Sequence, residues 1–239
     1  MEIENTIAFR VEYSEQEVGK NYSGRFHFWF TTVWCLALII TCIVFLHHPT
    51  WKELLIIPIG FLYINFSEYI AHRGPMHHRK KNFDKVFKRH SLQHHRFFTK
   101  EHFSFDSAKD VKAVLFPPVL LLFFFFAFAL PVGLLFYFFW SANAALLFII
   151  IAFSYYLNYE WLHFIYHLPK EHFVARLPFI STLRKLHLTH HDPKLMTKYN
   201  FNITYPIFDI LFGTYYKAPL EWSGIFVFLF FNLNCTYKN

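Results

Sequence analysis

Charged residues are scarce in this 239-residue chain, at 16% of the total against about 25% in an ordinary soluble domain. A chain with so little charge cannot cover a water-facing surface, which argues against a soluble globular protein. Cysteine is also rare, and the three present exclude a disulfide scaffold. With seven glycines the chain is not collagen-like, and its 55% hydrophobic content excludes intrinsic disorder.

The hydrophobic residues, which include 34 phenylalanines, are concentrated in blocks. Residues 28–46 carry no charge and are long enough to cross a bilayer, for which about 20 apolar residues suffice. The 47 uncharged residues 113–159 are too long for one span, and Leu130-Pro131-Val132-Gly133 interrupts them with turn-forming residues. The predicted membrane spans are about 28–46, 54–71, 113–130 and 134–157.

These spans predict an all-α integral membrane fold of four transmembrane helices arranged as two hairpins. An N-terminal segment, residues 1–27, precedes a membrane domain over residues 28–239. Residues 72–112 and 158–239 then form a helical cap on one side of the membrane. Within the cap, the run Trp222–Phe231 is too short to cross and is expected at the membrane interface.

The basic residues indicate which side carries the cap. Of 23 Lys and Arg, 22 lie in the cap or the N-terminal segment, and Lys52 alone lies in the opposite turn. The positive-inside rule therefore places the cap in the cytoplasm. The net charge of +7 is explained by anionic lipid headgroups, so no nucleic-acid partner is predicted.

Histidine is unusually frequent: the 16 histidines equal all Asp and Glu together. Ten fall into four groups with metal-ligand spacing, and all four lie on the predicted cytoplasmic side. Residues three or four apart share a helix face, so such spacings direct imidazoles together. Gly74-Pro75 is expected to end a helix and so to swing His77 back towards His72. The groups are His72/His77, His90/His94/His95, His163/His167 and His187/His190/His191.

Ten imidazoles exceed the coordination capacity of one ion, so two metals are predicted. Ligation by imidazole without a cysteine cluster suits iron, zinc or copper and disfavours magnesium or calcium. The remaining histidines are interpreted as structural, with His78 as an alternative to His77. They are His27, His47, His48, His78, His102 and His172.

Carboxylates near the histidines are candidates to orient them, because metal-bound imidazoles normally donate their second N–H to a carboxylate or carbonyl. Glu68 precedes His72 by one helical turn, and Glu160 lies three residues before His163. Asp192 and Asp209 are further candidates, for which a surface or helix-capping role is equally compatible with the sequence.

The histidine groups, together with Glu68-Tyr-Ile-Ala-His72-Arg and Leu183-Arg-Lys-Leu-His187-Leu-Thr-His190-His191, resemble the fatty acid hydroxylase/sterol desaturase superfamily. The similarity runs from about residue 68 to residue 216 and includes a closing segment with Asp209 and Gly213. The H-x4-H spacing of the first group and Phe116-Pro117-Pro118 look most like the fatty acid 2-hydroxylase branch. One departure is the second group, which reads H-x3-HH where that branch usually shows H-x2-HH.

The resemblance implies two iron ions held by the ten histidines, with Glu68 and Glu160 orienting them. Zinc can occupy such a site in a purified protein. The implied reaction uses O2 to insert one oxygen atom into a C–H bond of a lipid, such as a fatty acyl chain. A cytochrome b5-like domain found in some members is absent from the sequence, so a separate protein is expected to donate electrons. The membrane would be a bacterial inner membrane or the endoplasmic reticulum.

Two alternatives stay open on the sequence. The same site could desaturate or hydroxylate a sterol or carotenoid. A non-redox zinc-binding membrane protein or metal transporter would also use histidines, although transporters place polar ligands near the bilayer midplane. Here the histidines lie at the ends of spans and beyond.

Overall fold

A computed structural model describes residues 2–216, so the predicted interfacial run Trp222–Phe231 lies outside the described residues. Within residues 2–216 the protein is helical and has no strand. Its α-helices are α1 (Glu2–Gln16), α2 (Gly24–Val44), α3 (Trp51–Leu54), α4 (Ile56–Ala71), α5 (Asp84–Phe87), α6 (His95–Phe97), α7 (Pro118–Phe124), α8 (Leu130–Phe139), α9 (Ala142–Tyr166), α10 (Pro178–His190) and α11 (Ile207–Leu211). Three π-helical segments (His72–Met76, Lys88–His94, Phe125–Ala129) and two 3-10 turns (Ala108–Ala113, Val174–Arg176) complete the secondary structure.

Among residues 2–216, four helical stretches are long and apolar enough to cross a membrane, which confirms the predicted number of spans. They are Gly24–Val44, Trp51–Met76, Ala108–Phe139 and Ala142–Tyr166. The last contains α9, which packs against α2, α4 and α8. Its most apolar window is 56% buried, against 17–33% for the other three stretches. The helix α9 is therefore the centre of the bundle, and the others expose their outer faces to lipid.

The predicted turn at residues 130–133 is wrong, because the chain stays helical through Pro131 to Phe139. Pro131 lies in the first turn of α8, directly after the π-helical segment Phe125–Ala129. Proline has no backbone N–H to donate. At Pro131 this lack coincides with the change from π-helical to α-helical hydrogen bonding. The reversal comes at Trp140, and α9 begins after Ser141, whose side chain caps it by accepting from the Ala144 N–H at 3.0 Å.

Polar contacts join the two hairpins at the end opposite the cap. Glu53 accepts hydrogen bonds from the Thr50 N–H at 2.6 Å and from the Ser141 hydroxyl. The Asn143 side chain bonds both the N–H and the carbonyl of His47, at 3.0 and 2.7 Å. These contacts involve the backbone of His47, consistent with the structural role assigned to it from the sequence.

The N-terminal segment forms α1, which docks on the cap through a buried cation. The Arg10 guanidinium lies 2.9 Å from a carboxylate oxygen of Asp110 and 4.3 Å from the centre of the Phe97 ring. Tyr13 packs edge-on against the same ring, at 5.2 Å between ring centres. The helix α1 therefore forms part of the cap that surrounds the histidines.

Gly24, the first residue of α2, lies against the 3-10 turn Ala108–Ala113. A Cβ atom at this position would come within 1.7 Å of the Ala108 carbonyl oxygen. We expect Gly24→Ala to lower the stability by about 2 kcal/mol, since backbone must move to relieve the overlap. Thermal unfolding in detergent would measure the loss, and Gly19→Ala is the matched control because nothing lies within 4 Å of its Cβ position. Equal unfolding temperatures for the two variants would contradict this close approach.

Candidate metal centre

Nine histidines form two buried groups at the cap end of the bundle. In each group the candidate ligand atoms all lie within 4.8 Å of one another. The first group comprises His72, His77, His90, His95 and His190, and the second comprises His94, His163, His167 and His187. The tenth histidine, His191, lies beside both: its Nε2 is 3.1 Å from Nε2 of His94 and of His187, and its ring stacks on His95 at 4.2 Å. The structure thus brings together all ten histidines selected from the sequence.

Two π-helical segments explain how histidines five residues apart enter the same group. His72 begins the segment His72–Met76 and His77 follows it directly, whereas His90 lies inside Lys88–His94 and His95 follows that segment. A π-helix has more residues per turn than an α-helix, so positions five apart come to lie on one side. The expected helix end at Gly74-Pro75 is replaced by this wider turn, which has Pro75 inside it.

The histidine triplets are divided between the two groups. His90 and His95 belong to the first group, whereas His94 between them belongs to the second. Likewise His187 belongs to the second group and His190 to the first. The first group therefore takes four histidines from the chain before α7 and one from α10, and the second takes one from before α7 and three from α9 onwards. Each half of the chain contributes to both groups.

The spacing of the ring nitrogens fits metal coordination. The Nε2 of His90 lies 2.8 Å from that of His72, and 3.1 Å from those of His77 and His95. Three such contacts on one nitrogen cannot all be good hydrogen bonds, because that nitrogen offers either one N–H or one lone pair. Nitrogens bound at right angles to one ion at about 2.1 Å would lie about 3.0 Å apart, which matches these separations. Iron, zinc and copper suit this all-imidazole donor set.

In five of these imidazoles, Nδ1, the ring nitrogen other than Nε2, contacts a backbone carbonyl oxygen. Each Nδ1 lies within hydrogen-bond distance of one carbonyl oxygen, so it carries the proton and Nε2 is left free as a ligand. The pairs are His72 with Phe201, His94 with Ala113 (2.9 Å), His167 with Phe103 (2.8 Å), His190 with Tyr199 (2.9 Å) and His191 with Phe98 (2.6 Å). No sequence signal marks these carbonyls, because every residue has one.

Burial keeps the imidazoles in the neutral form that binds metal. Desolvation lowers the pKa of His94 to about 3 and holds the pKa of His90, His95, His187 and His190 well below the usual value. Neighbouring imidazoles lower the pKa of these four residues further, since two adjacent cations would repel. Metal binding at neutral pH would therefore displace few protons from the cap histidines.

Glu68 accepts hydrogen bonds from the loop 199–204, which lies beside the first group. One carboxylate oxygen accepts from the N–H groups of Ile203 and Thr204, at 2.7 and 3.2 Å. The other accepts from the hydroxyls of Thr204 and Tyr155, at 2.6 and 2.5 Å. The carbonyls of Phe201 and Tyr199, which hold His72 and His190, belong to the same loop.

Glu160 has the corresponding position in the other half. It accepts from the Phe116 N–H at 3.2 Å, and the Phe116 carbonyl contacts Nε2 of His27 at 3.0 Å. Three residues earlier in the chain is Ala113, whose carbonyl holds His94. Glu68 and Glu160, the carboxylates within the spans, thus each bond a segment from the other half of the chain.

The aspartates predicted from the sequence have different surroundings. Asp209 is fully buried and accepts from the N–H groups of Phe201 and Asn202, at 2.9 and 2.7 Å. Asp209 therefore fixes the same loop as Glu68. Asp192 lies nearer the surface and pairs with Lys100 at 2.6 Å, which is the surface role considered for it.

Three of the remaining histidines show local contacts. His78 is exposed and bonds the Arg73 carbonyl at 2.6 Å, whereas His77 is buried in the first group. His27 contacts the Tyr22 hydroxyl at 2.8 Å, and His102 pairs with Asp106 at 3.0 Å.

The aromatic residues next to the histidine motifs serve mainly in packing. Tyr69 and Tyr166 are almost fully buried, and the Tyr166 hydroxyl donates to the Ile203 carbonyl at 2.8 Å. The Trp161 indole donates to the Thr32 hydroxyl at 3.0 Å.

Comparison with known protein families gives a match to fatty acid hydroxylase over residues 57–214, which include all ten histidines. The chain belongs to the fatty acid hydroxylase family. No curated protein and no solved structure matches this hydroxylase-family chain significantly. The superfamily predicted from the sequence is confirmed, and membership supports a membrane hydroxylase- or desaturase-type activity on lipids.

Proposed function

We propose that the protein is a membrane-bound di-iron oxygenase that hydroxylates a lipid, using O2 and electrons from a separate donor protein. The observation that carries this proposal is the pair of adjacent, buried, all-histidine groups in a fatty acid hydroxylase-family chain. Two iron ions, when bound, would supply the O2 activation needed to attack an unactivated C–H bond, which no side chain can do.

The ten histidines are proposed as the ligands, with five for the first ion and four for the second. His191 lies close enough to both groups to complete either coordination sphere. Backbone carbonyls fix the tautomers, and Glu68, Glu160 and Asp209 fix the segments that carry those carbonyls. In the five rings that a carbonyl bonds, these contacts would keep Nε2 directed at the ions without a conformational search.

The site also excludes water, since all ten imidazoles are at most 7% exposed. Buried surroundings protect a reactive oxidant from solvent, which is what hydroxylation of an apolar chain requires. The position of both groups at one end of the membrane bundle allows an acyl chain to approach from the bilayer.

A turnover assay tests the function. Purified protein loaded with iron, given a reductant, O2 and a membrane lipid extract, should form a product heavier by one oxygen atom. Loss of two hydrogen atoms instead would indicate the desaturase alternative. Protein that retains only zinc, and forms neither product when supplied with iron, would favour the non-redox alternative.

We propose further that the histidine groups face the cytoplasm, because the cap carries most of the cations. In a Cys235→Ser background, a membrane-impermeant thiol reagent should label Lys52→Cys in intact cells. Lys85→Cys should be labelled only after permeabilisation. The endogenous Cys35 and Cys42 are buried and should stay unlabelled. The reverse labelling pattern would place the site on the other side.

A further inference from the structure

A crevice of about 710 Å³ lies on the lipid-facing side of the bundle, near the cap. One wall is the outer face of α4, where Tyr63, Phe66 and Ile70 follow helical spacing and are 36–49% exposed. Phe83, which is 49% exposed and follows the loop residues 80–82, also lines the crevice. Because α4 is part of a membrane span, these apolar walls lie at the level where acyl chains begin.

The rim of the crevice is basic. Lys80, Lys81 and Asn82 line it, and among the described part of the chain no acidic residue does. The neighbouring Arg79 is engaged by Asp84 at 2.7 Å, whereas neither lysine has an ion-pair partner within residues 2–216. Two free cations and an amide beside an apolar slot complement an amphiphile with a negative head.

We propose that this crevice binds one anionic phospholipid. Its acyl chain would pack between Phe83 and the α4 face formed by Phe66 and Ile70. Its phosphate would be bound by the ammonium groups of Lys80 and Lys81 and by the Asn82 amide. The site is separate from the histidine groups, and the proposal holds whatever reaction those groups perform.

The crevice also contacts the turn that carries two candidate metal ligands. Ala71 and Pro75 line it, and they belong to the helix end and π-helical segment that position His72 and His77. A lipid seated there would pack against the outside of this turn. Anionic lipid is therefore a structural ligand of the same region that forms the first histidine group.

Native mass spectrometry of the full chain, released from nanodiscs of mixed phosphatidylglycerol and phosphatidylcholine, tests the proposal. The wild-type protein should retain one phosphatidylglycerol in preference to phosphatidylcholine. The double variant Lys80→Gln/Lys81→Gln should bind it about thirtyfold more weakly, at roughly one kcal/mol for each lysine. The control Lys85→Gln/Lys109→Gln removes the same charge from exposed positions outside the crevice and should retain the lipid.

Phe83→Ala should weaken retention while preserving the preference for phosphatidylglycerol, because it removes acyl contact and leaves both lysines. Equal retention of phosphatidylglycerol by the wild type and the Lys80/Lys81 variant would overturn the proposal. Equal retention of both lipids by the wild type would also overturn it. Retained lipid that is converted on addition of iron, reductant and O2 would identify the crevice as the substrate entrance and would overturn the structural role. Circular dichroism and monodisperse gel filtration would show that each variant is folded.

Discussion

His90→Ala should eliminate turnover and remove one of two bound metal ions. The Nε2 of His90 makes three of the close contacts in the first group, so its loss leaves that group without its most central ligand. Loss of an outer hydrogen-bond partner typically weakens metal binding about 10–100-fold, and loss of a ligand should exceed that. Elemental analysis of purified protein would give the metal content, and the lipid hydroxylation assay would give the turnover.

His78→Ala is the matched control, since His78 is the chain neighbour of His77 in the first group but is exposed. It should retain both metals and wild-type turnover. His163→Ala, in the second group, should resemble His90→Ala and spare the first metal. Retention of two ions and normal turnover by His90→Ala would contradict the assignment of the first group as a metal site.

Glu68→Gln should destabilise the protein by about 3 kcal/mol and weaken metal binding to the first group about 10–100-fold. All four groups that contact the carboxylate act as donors: two N–H groups and two hydroxyls. An amide presents two N–H donors in place of one acceptor oxygen, so either the two N–H groups or the two hydroxyls would lose the oxygen that accepts from them. The loop 199–204 would then hold His72 and His190 less firmly. Thermal unfolding and competition with a chelator would measure the two effects.

Glu53→Gln provides a control for stability alone. Glu53 is also a buried carboxylate that accepts from a backbone N–H and from hydroxyls, but it lies at the opposite end of the bundle. We expect this variant to unfold at a lower temperature and to bind metal normally. If both variants lost metal to the same extent, the effect of Glu68 would be general destabilisation and not orientation of ligands.

The sequence predicts the number of spans and the convergence of the histidines because both depend on patterns that hydropathy and spacing record. The four spans follow from stretches with little or no charge, and the convergence of His163 and His167 follows from their separation of four at the C-terminal end of α9. The turn near Pro131 is misplaced because proline stops a regular α-helix but is tolerated next to a π-helical segment. Hydropathy does not distinguish these cases.

The division of the triplets could not be predicted, since it depends on π-helical geometry around His90 and on the rotation of α10. The backbone carbonyls that bond the imidazoles could not be predicted from the sequence either. Glu68 was identified from its position near His72, but its contacts are with Ile203, Thr204 and Tyr155, which are distant in sequence. Tertiary packing alone brings these partners together.

Each histidine group combines residues from both hairpins, and this affects the order in which the protein can assemble in the membrane. His190 completes a group built mainly by the first hairpin, and His94 completes one built mainly by the second. Neither hairpin alone carries all the histidines of either group, so binding that used every proposed ligand would follow insertion and docking of both hairpins. Each ion, when bound, would act as a cross-link between the halves, in the way a disulfide joins distant segments of a secreted protein. Metal loading would thus be the last folding step and would lock the helices in their final order.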